Sequence, residues 1–253
     1  MIHVLPVRTP TLPPATHTNV YRVGRVVFDA ASPYLDEQER TLAWVRESPV
    51  RVDTIVLTHH HHDHVGGAEA LRAALRADGT PARILAHRDS VLPFDLDGTL
   101  DDGDVVDTGD GPLRVFYTPG HAHGHLVFLA ENGDCIAGDL VAGTGTIVVA
   151  PPEGHLETYL QSLRRMLPLA KRLYPAHGPD LPGEDTLRHY LFHRAMRTEQ
   201  VRVACAALRA AGEAATAETV ADRVYAGIPG VDPLFAGLQV SAILTWLEEH
   251  DGG

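Results

Sequence analysis

The chain has 253 residues, enough for one large domain, or a domain with a small appendage, built around a substantial core. Hydrophobic residues make up 44% and charged residues 21% of the composition, as is usual for a globular protein. No apolar stretch is long enough to span a bilayer, so we expect no membrane partner. The formal net charge of −12 disfavours a polyanionic partner such as RNA.

The opening segment, Met1–Tyr21, does not have the pattern of a secretion signal. Prolines interrupt it where a signal peptide needs a continuous apolar run, and no small-residue cleavage site follows. Cys135 and Cys205 are too few for a disulfide framework and form no C-x-x-C pair. These features predict a cytoplasmic protein.

Short runs rich in β-branched and aromatic residues recur along the chain, and segments with the apolar spacing of a helix lie between some of them. This alternation predicts a mixed α/β domain. The predicted strands are Arg25–Asp29, Thr54–Thr58, Arg83–His87, Arg114–Thr118, His125–Leu129, Cys135–Gly138 and Arg172–Tyr174, and the predicted helices are Glu37–Glu47, Ala68–Ala77 and Leu156–Ala170.

The C-terminal part differs, because from about Thr186 its pattern is helical throughout. Gly212 and the turn Ile228-Pro229-Gly230 separate the predicted helices. We therefore predict two units, residues 1–183 and residues 184–253. The predicted helices of the second unit are Leu187–Ala211, Ala217–Ala226 and Leu234–His250.

The most informative segment is THHHHDHVGG, residues 58–67, which lies between a predicted strand and a predicted helix. Side chains two residues apart on an extended segment point the same way, so His59 and His61 can bind one metal ion together. Asp63 and His64 then fall at a helix N-terminus, where they can face a second ion. A purification tag is disfavoured as the origin of the four histidines, because a tag would be terminal. A solvated polar loop is disfavoured because it would not explain the further candidate ligands elsewhere in the chain.

Three further candidate ligands each follow a predicted strand. Taken singly their motifs are weak, because such sequences are common in turns, but together and in this order they indicate a metal site. Imidazole and carboxylate suit Zn²⁺ without excluding iron or manganese. Asp29 and Asp53 can accept bonds from ligating histidines or cap turns. The three candidates are His121 in TPGHAHGH, Asp139 in GDL and His177 in YPAHGP.

The order T-H-x-H-x-D-H-x-G-G, T-P-G-H, G-D and Y-P-x-H-G resembles the metallo-β-lactamase superfamily. The resemblance implies an αββα sandwich with the metal ions at one edge of its two sheets. His60 and His62 occupy variable positions of the motif and are not expected to be ligands. By motif position, the implied ligands are His59, His61 and His121 for the first ion, Asp63, His64 and His177 for the second, and Asp139 as a bridge.

The second half narrows the resemblance to the β-lactamase-like protein 2 group, which carries a small helical, winged-helix-like C-terminal domain. Arg194 and Arg197 in the HR-x-x-R element, and His125, are candidate substrate contacts. A solvated basic helix face, or pairing with acidic neighbours, is the alternative for the arginines, and a satisfied strand histidine is the alternative for His125. The segments that carry this resemblance are residues 139–146, 159–163, 174–179 and 190–197.

These features predict a metal-dependent hydrolase. Two ions roughly 3.5–4 Å apart can share a hydroxide and clamp the attacking and leaving oxygens of a displacement. Asp139 would fix this bridge, and Asp63 would bind the second ion and take part in proton transfer, so both are candidate catalytic residues. We predict a binuclear zinc enzyme, with two Zn²⁺ per chain, that uses the bridging hydroxide on a small ester, lactone or thioester.

Two other functions stay open. The first is a single-stranded RNA endonuclease of the β-lactamase-like protein 2 type, for which Arg188, Arg194, Arg197 and Arg202 could form a phosphate-binding strip despite the acidic net charge. The second is an iron-dependent sulfur dioxygenase with one iron in the same pocket. A partner-binding protein with structural zinc is disfavoured, because such zinc needs only four ligands. The oligomeric state is open, a homodimer being one option.

Overall fold

The computed structural model describes residues 1–228 and 230–251, except for the side chain of Asp251. Pro229 of the expected turn, and Gly252 and Gly253 at the end of the expected second unit, lie outside the described residues. The described chain forms two six-stranded sheets that pack face to face, with helices on both outer sides. This is the αββα sandwich that the sequence predicts.

The first sheet is built by the N-terminal part of the chain, with its strands in sequence order from one edge to the other. The β1–β3 pairs are antiparallel, and the pairs from β3 to β6 are parallel. Its strands are β1 (Ile2–Arg8), β2 (His17–Val23), β3 (Val26–Phe28), β4 (Thr54–Val56), β5 (Arg83–Ala86) and β6 (Gly98–Thr99).

The second sheet has the order β12-β11-β10-β9-β8-β7, in which only β10 and β11 pair in parallel. Its strands are β7 (Val105–Asp107), β8 (Pro112–Tyr117), β9 (Leu126–Ala130), β10 (Asp134–Gly138), β11 (Arg172–Pro175) and β12 (Leu181–Pro182).

The helices confirm the predicted segments, with ends that differ by a few residues, and add a four-residue helix within the histidine segment. They are α1 (Leu35–Arg46), α2 (His62–Val65), α3 (Ala68–Ala77), α4 (Leu156–Met166), α5 (Gly183–Ala210), α6 (Ala217–Val224) and α7 (Pro233–Asp251).

Three apolar layers hold the sandwich together. The middle layer joins the two sheets through side chains such as Phe28 and Phe128, whose ring centroids lie 4.9 Å apart. One outer layer packs α1 and α3 on the first sheet, and the other packs α4–α7 on the second sheet. Because β3 and β4 lie between two layers, all their residues are buried, and their sequences are short apolar runs rather than alternating ones.

The C-terminal residues are helical, as predicted, and contain no strand in the described part after Pro182. Buried side chains of α5–α7, among them Val201, Leu208 and Val240, join the same apolar layer as α4. The division into residues 1–183 and 184–253 stays a prediction. None of the described helices combines the length and apolar character that crossing a membrane requires, and the cytoplasmic location also stays a prediction.

Asp97 ties α3 to the edge of the first sheet. Its carboxylate accepts bonds from the backbone nitrogen of Ile84 in β5 and from Arg72 and Arg76 in α3, at 2.9, 2.8 and 2.6 Å. Burial alone would raise the pKa of Asp97, but these bonds outweigh it and lower the pKa from 3.8 to about 2. The folded state therefore favours the ionised carboxylate.

We expect Asp97→Asn to lower the free energy of unfolding at pH 7 by about 1 kcal/mol. This figure follows from the lowered pKa of Asp97, reduced because solvent screens a partly exposed carboxylate. A lowered folded-state pKa contributes stability above the unfolded pKa near 4, and this stability is lost as the pH falls towards 2. Denaturant unfolding from pH 7 to pH 3 should show the difference from wild type shrinking. Asp95→Asn, at an exposed neighbour, is the control; a difference independent of pH would contradict this role.

Candidate metal centre

Four of the predicted ligands converge beside the ends of β4, β8 and β10. The Nδ1 atom of His61 lies 3.0 Å from Nε2 of His59 and 3.1 Å from Nε2 of His121. Oδ2 of Asp139 lies 3.4 Å from that same nitrogen of His121. The i, i+2 pair and the more distant histidine thus present three ring nitrogens to a common point, close enough together to hold one metal ion.

A second group adjoins the first and has Asp139 between them. Asp63 Oδ2 and Asp139 Oδ1 lie 3.5 and 3.4 Å from Nε2 of His177. Nε2 of His64 lies 3.6 Å from Asp139 Oδ1 and 3.9 Å from Asp63 Oδ1. Ligand atoms of Asp63, His64 and His177 are also close enough together to hold an ion. The structure therefore brings all seven predicted ligands together.

The nitrogens that face away from this centre are held by other parts of the chain. His64 Nδ1 lies 2.9 Å from Asp29 Oδ2, His121 Nδ1 lies 2.7 Å from the Val148 carbonyl, and His177 Nδ1 lies 3.0 Å from the His17 carbonyl. Each acceptor favours a proton on the outer nitrogen, so the inner nitrogen is the one that can offer its lone pair to a metal ion. This is the usual arrangement around metal-binding histidines.

The polar atoms at the centre fit a cation. Among the described residues, Nε2 of His64 and Oδ1 of Asp139 are buried without a hydrogen-bond partner, which is costly unless another group satisfies them. Burial lowers the pKa of His64, but Asp139, Asp63 and Asp29 outweigh it and raise the pKa to about 10. The local potential thus favours positive charge, and the donor set suits zinc, iron or manganese.

His125 positions Asp139 from behind. Its Nε2 accepts a bond of 3.0 Å from the backbone nitrogen of Asp139, and its Nδ1 lies 2.9 Å from Thr118 Oγ1. Burial lowers the pKa of His125 to about 3, which keeps this acceptor neutral. Gly138 has φ +49°, and a Cβ there would lie 2.9 Å from His125 Nε2, so the turn needs glycine. The structure gives His125 this internal contact; substrate contact stays a prediction.

Glu153 is the site residue that the sequence analysis missed. Its Oε1 lies 3.2 Å from Nε2 of His60, and its Oε2 lies 3.4 Å from Nε2 of His61, on the ring edge opposite the centre. These three residues form another group with ligand atoms close together. The non-ligand role of His60 therefore stays a prediction, as does that of His62, whose side chain is exposed. The sequence PPEG around Glu153 carries no metal motif.

The family model of the Metallo-beta-lactamase superfamily matches residues 13–177, which contain every residue of the centre described above. The chain belongs to the metallo-β-lactamase superfamily. This membership agrees with the predicted enzyme class, a metal-dependent hydrolase.

Curated relatives in the superfamily differ in their named roles. The lactamase-like protein aptB of Emericella nidulans is 33% identical over 78% of this chain and 62% of its own length. An atrochrysone carboxyl ACP thioesterase of Aspergillus fumigatus is 30% identical over 83% of this chain and 67% of its own. A β-lactamase-like protein 2 homolog of Caenorhabditis elegans is 28% identical over 90% of this chain and 77% of its own length. The chain thus spans less than two thirds of aptB.

Solved structures of the superfamily agree with the fold. A metallo-beta-lactamase family protein from Thermus thermophilus is 22% identical, has a TM-score of 0.79, and covers 99% of this chain and 94% of its own. TTHA1623, solved in a di-iron-bound form, is 27% identical and has a TM-score of 0.57. The match covers 71% of this chain and 94% of TTHA1623. The first likeness includes the C-terminal helices, because it extends over nearly the whole chain.

In this superfamily member, the centre opens into a cavity of about 1120 Å³. Residues 10–15, the loop from Ala142 to Glu153, and the C-terminal helices surround the cavity. The predicted ligands that line it are His61, Asp63, His121, Asp139 and His177.

The two candidate arginines of α5 differ in their surroundings, although both line this cavity. Arg194 is buried and donates to the Ile147 carbonyl at 2.6 Å and to Gln239 Oε1 at 2.8 Å. Arg197 is half-buried and lies over the ring of Tyr225, 4.5 Å from its centroid. The contacts of Arg194 hold α5 to α7 and to the cavity loop, and contact of either arginine with a substrate stays a prediction.

We expect Arg194→Ala to lower the free energy of unfolding by about 2–4 kcal/mol, because it opens a space and leaves buried partners unsatisfied. Arg197→Ala should cost no more than about 1 kcal/mol, since its contacts lie near the surface. Denaturant unfolding of the two single variants measures the contrast. Equal losses would contradict the division of roles between the arginines.

Proposed function

We propose that this chain is a binuclear metal-dependent hydrolase that cleaves an ester, lactone or thioester bond. The observation that carries the proposal is the pair of buried atoms without partners, His64 Nε2 and Asp139 Oδ1, at the junction of two ligand groups on a cavity floor. A structural zinc site is closed by four ligands. Seven ligands beside an open cavity support a site that also receives a substrate.

Two zinc ions per chain are the proposed occupants. His59, His61 and His121 would hold one ion, Asp63, His64 and His177 the other, and Asp139 would contact both. Bound ions would supply Lewis acidity and make water a better nucleophile at neutral pH. Iron is the alternative supported by the likeness to TTHA1623, whose structure is a di-iron form.

A thioester is the bond class to test first, because a 30%-identical relative is named a thioesterase. In this reaction the oxygen of water bonds to the acyl carbon, the carbon–sulfur bond breaks, and the thiol leaves with one proton. The products are a carboxylate and a thiol, and the second proton passes to solvent. No oxidant or reductant is required.

The chain's own residues would orient the reacting groups. The backbone of Asp139 is held by His125 and by the Gly138 turn, and its carboxylate lies between the two ligand groups. Asp63 lies at the cavity wall, where its carboxylate can accept a proton from the attacking water. Arg197 would contact an anionic part of the substrate, because its guanidinium lines the same cavity.

The alternative functions receive less support. The proposed phosphate-binding strip is interrupted, since Arg188 pairs with Glu184, Arg202 pairs with Glu199, and Arg194 is buried. An RNA substrate would need a more continuous basic surface. An iron-dependent sulfur dioxygenase would contain iron on elemental analysis and would consume oxygen. Hydrolysis consumes no oxygen. A homodimer is compatible with every alternative.

We expect His61→Ala to lose about one metal equivalent and at least about 100-fold in thioester turnover, because one of three nitrogens of the first group is removed. His61 is preferred to His59 for this test because its side chain is less buried and its removal disturbs the fold less. Elemental analysis and a thiol-release assay provide the measurements. The adjacent exposed His62→Ala is the matched control.

Full metal content and turnover in His61→Ala would overturn the ligand assignment. Loss of a metal equivalent in His62→Ala would show that the motif register is displaced.

We expect Glu153→Gln to weaken metal affinity about 10-fold, because a carboxylate beside the outer edge of a ligating imidazole increases its basicity. Competition with a chromophoric chelator measures the affinity. Glu131→Gln, an exposed carboxylate in the turn between β9 and β10, is the control. Equal affinities of the two variants would mean that Glu153 has no positioning role.

A further inference from the structure

The cavity is lined by many residues besides those of the metal centre, and most of them are apolar, although charged side chains such as Arg197 also line it. Its lining includes the N-terminal loop that contains Leu12 and its neighbouring prolines, and it also includes residues of α7. Tyr225 and Val231 close the side between α6 and α7. The helical wall lies outside residues 13–177, so the family match assigns it no role.

The lining residues of α7 share one helical face. Phe235, Gln239 and Ile243 follow the i, i+4, i+8 spacing, which places side chains one above another. Gln239 and Ile243 are buried, and Phe235 is half-buried. The residue before Phe235 shows the contrast, because Leu234 is 67% exposed and does not line the cavity.

This wall has a fixed position. Nε2 of Gln239 donates to the Ile147 carbonyl at 3.0 Å, and its Oε1 accepts from Arg194 at 2.8 Å. At the other end of α7, Trp246 Nε1 donates to Glu157 Oε2 at 3.0 Å. The helix is therefore fastened to the cavity loop, to α5 and to α4, which preserves the space before a ligand enters.

The size of the space limits the ligand. Pockets for drug-sized molecules measure roughly 300–1,000 Å³, so a cavity of about 1120 Å³ is slightly larger than this range. An acetyl group at the metal centre would leave the apolar wall unused. Burying additional carbon on such a wall strengthens binding by about fourfold per methylene.

We propose that the α7 face of Phe235 and Ile243, together with Leu12 of the N-terminal loop, is an acyl-binding wall that selects bulky, apolar acyl groups. The class is a fused aromatic ring system or a chain of about ten carbons, in place of the small acyl groups that the sequence favours. The selection rests on the proposed hydrolase function, because the acyl carbon must reach the metal centre while its substituent contacts the wall.

The test compares thioesters that share one thiol, N-acetylcysteamine, and carry acetyl, decanoyl or 2-naphthoyl groups. The wild-type protein should prefer the decanoyl and naphthoyl thioesters to the acetyl thioester by at least about tenfold in kcat/KM. Ile243→Trp narrows the cavity at the wall. It should lower kcat/KM about tenfold for the two bulky thioesters and leave kcat/KM for the acetyl thioester unchanged. Leu234→Trp, on the outer face of the same helix, is the matched control and should change none of them.

Leu12→Trp narrows the cavity from the N-terminal loop, at an exposed position, and it tests the same selection if the buried Ile243 variant does not fold. Binding of 2-naphthoate, followed by its fluorescence in the zinc-loaded protein, provides a measurement that needs no turnover. Both wall variants should weaken this binding about tenfold at unchanged metal content, and Leu234→Trp should not.

The outcomes separate the two proposals. If no thioester is cleaved but naphthoate binds and the wall variants weaken it, the acyl-binding wall stands and thioester hydrolysis is rejected. If the acetyl thioester is preferred, or if folded wall variants bind naphthoate like wild type, the wall is rejected whatever the turnover.

Discussion

The carboxylate of Asp29 is the contact on which the geometry of the metal centre depends. It accepts bonds from the backbone nitrogen and the hydroxyl of Thr58, both at 2.7 Å, and from His64 at 2.9 Å. One buried side chain after β3 thereby fixes the end of β4 and the start of the histidine segment. Asp29 itself has φ +53°, a left-handed conformation that aspartate tolerates better than most residues. The strain is offset by the bonds that this geometry allows.

Much of this arrangement is predictable because local sequence carries it. The histidine segment has its ligand spacing within ten residues, and the other ligands follow strands whose apolar runs are recognisable. By sequence, Asp29 and Asp53 are both candidates to hold a site histidine. Asp29 contacts His64, whereas Asp53 contacts Arg25 and Thr54. Sequence alone leaves these two equivalent, because it does not show which strand end faces the histidines.

The features that sequence does not predict depend on distant packing. β1 contains Pro6, which an edge strand tolerates but which hides the strand pattern, and the two-residue strands β6 and β12 are too short to have one. Glu153 contacts the histidines only because its loop packs beside them at the cavity, more than ninety residues later in the chain. The burial of Arg194 likewise depends on α7, more than forty residues later, and no helical periodicity in α5 distinguishes it from the exposed arginines.

The contacts that orient the imidazoles also determine when the centre can form. His177 is fixed by the carbonyl of His17, 160 residues earlier, and His61 meets His121 across 60 residues. Contacts of such sequence separation form late, because the entropy of closing the intervening chain must be overcome before they contribute. A peptide with only the histidine segment would therefore lack the ordered geometry. During synthesis, the complete donor set first exists after residue 177 has left the ribosome and both sheets have docked.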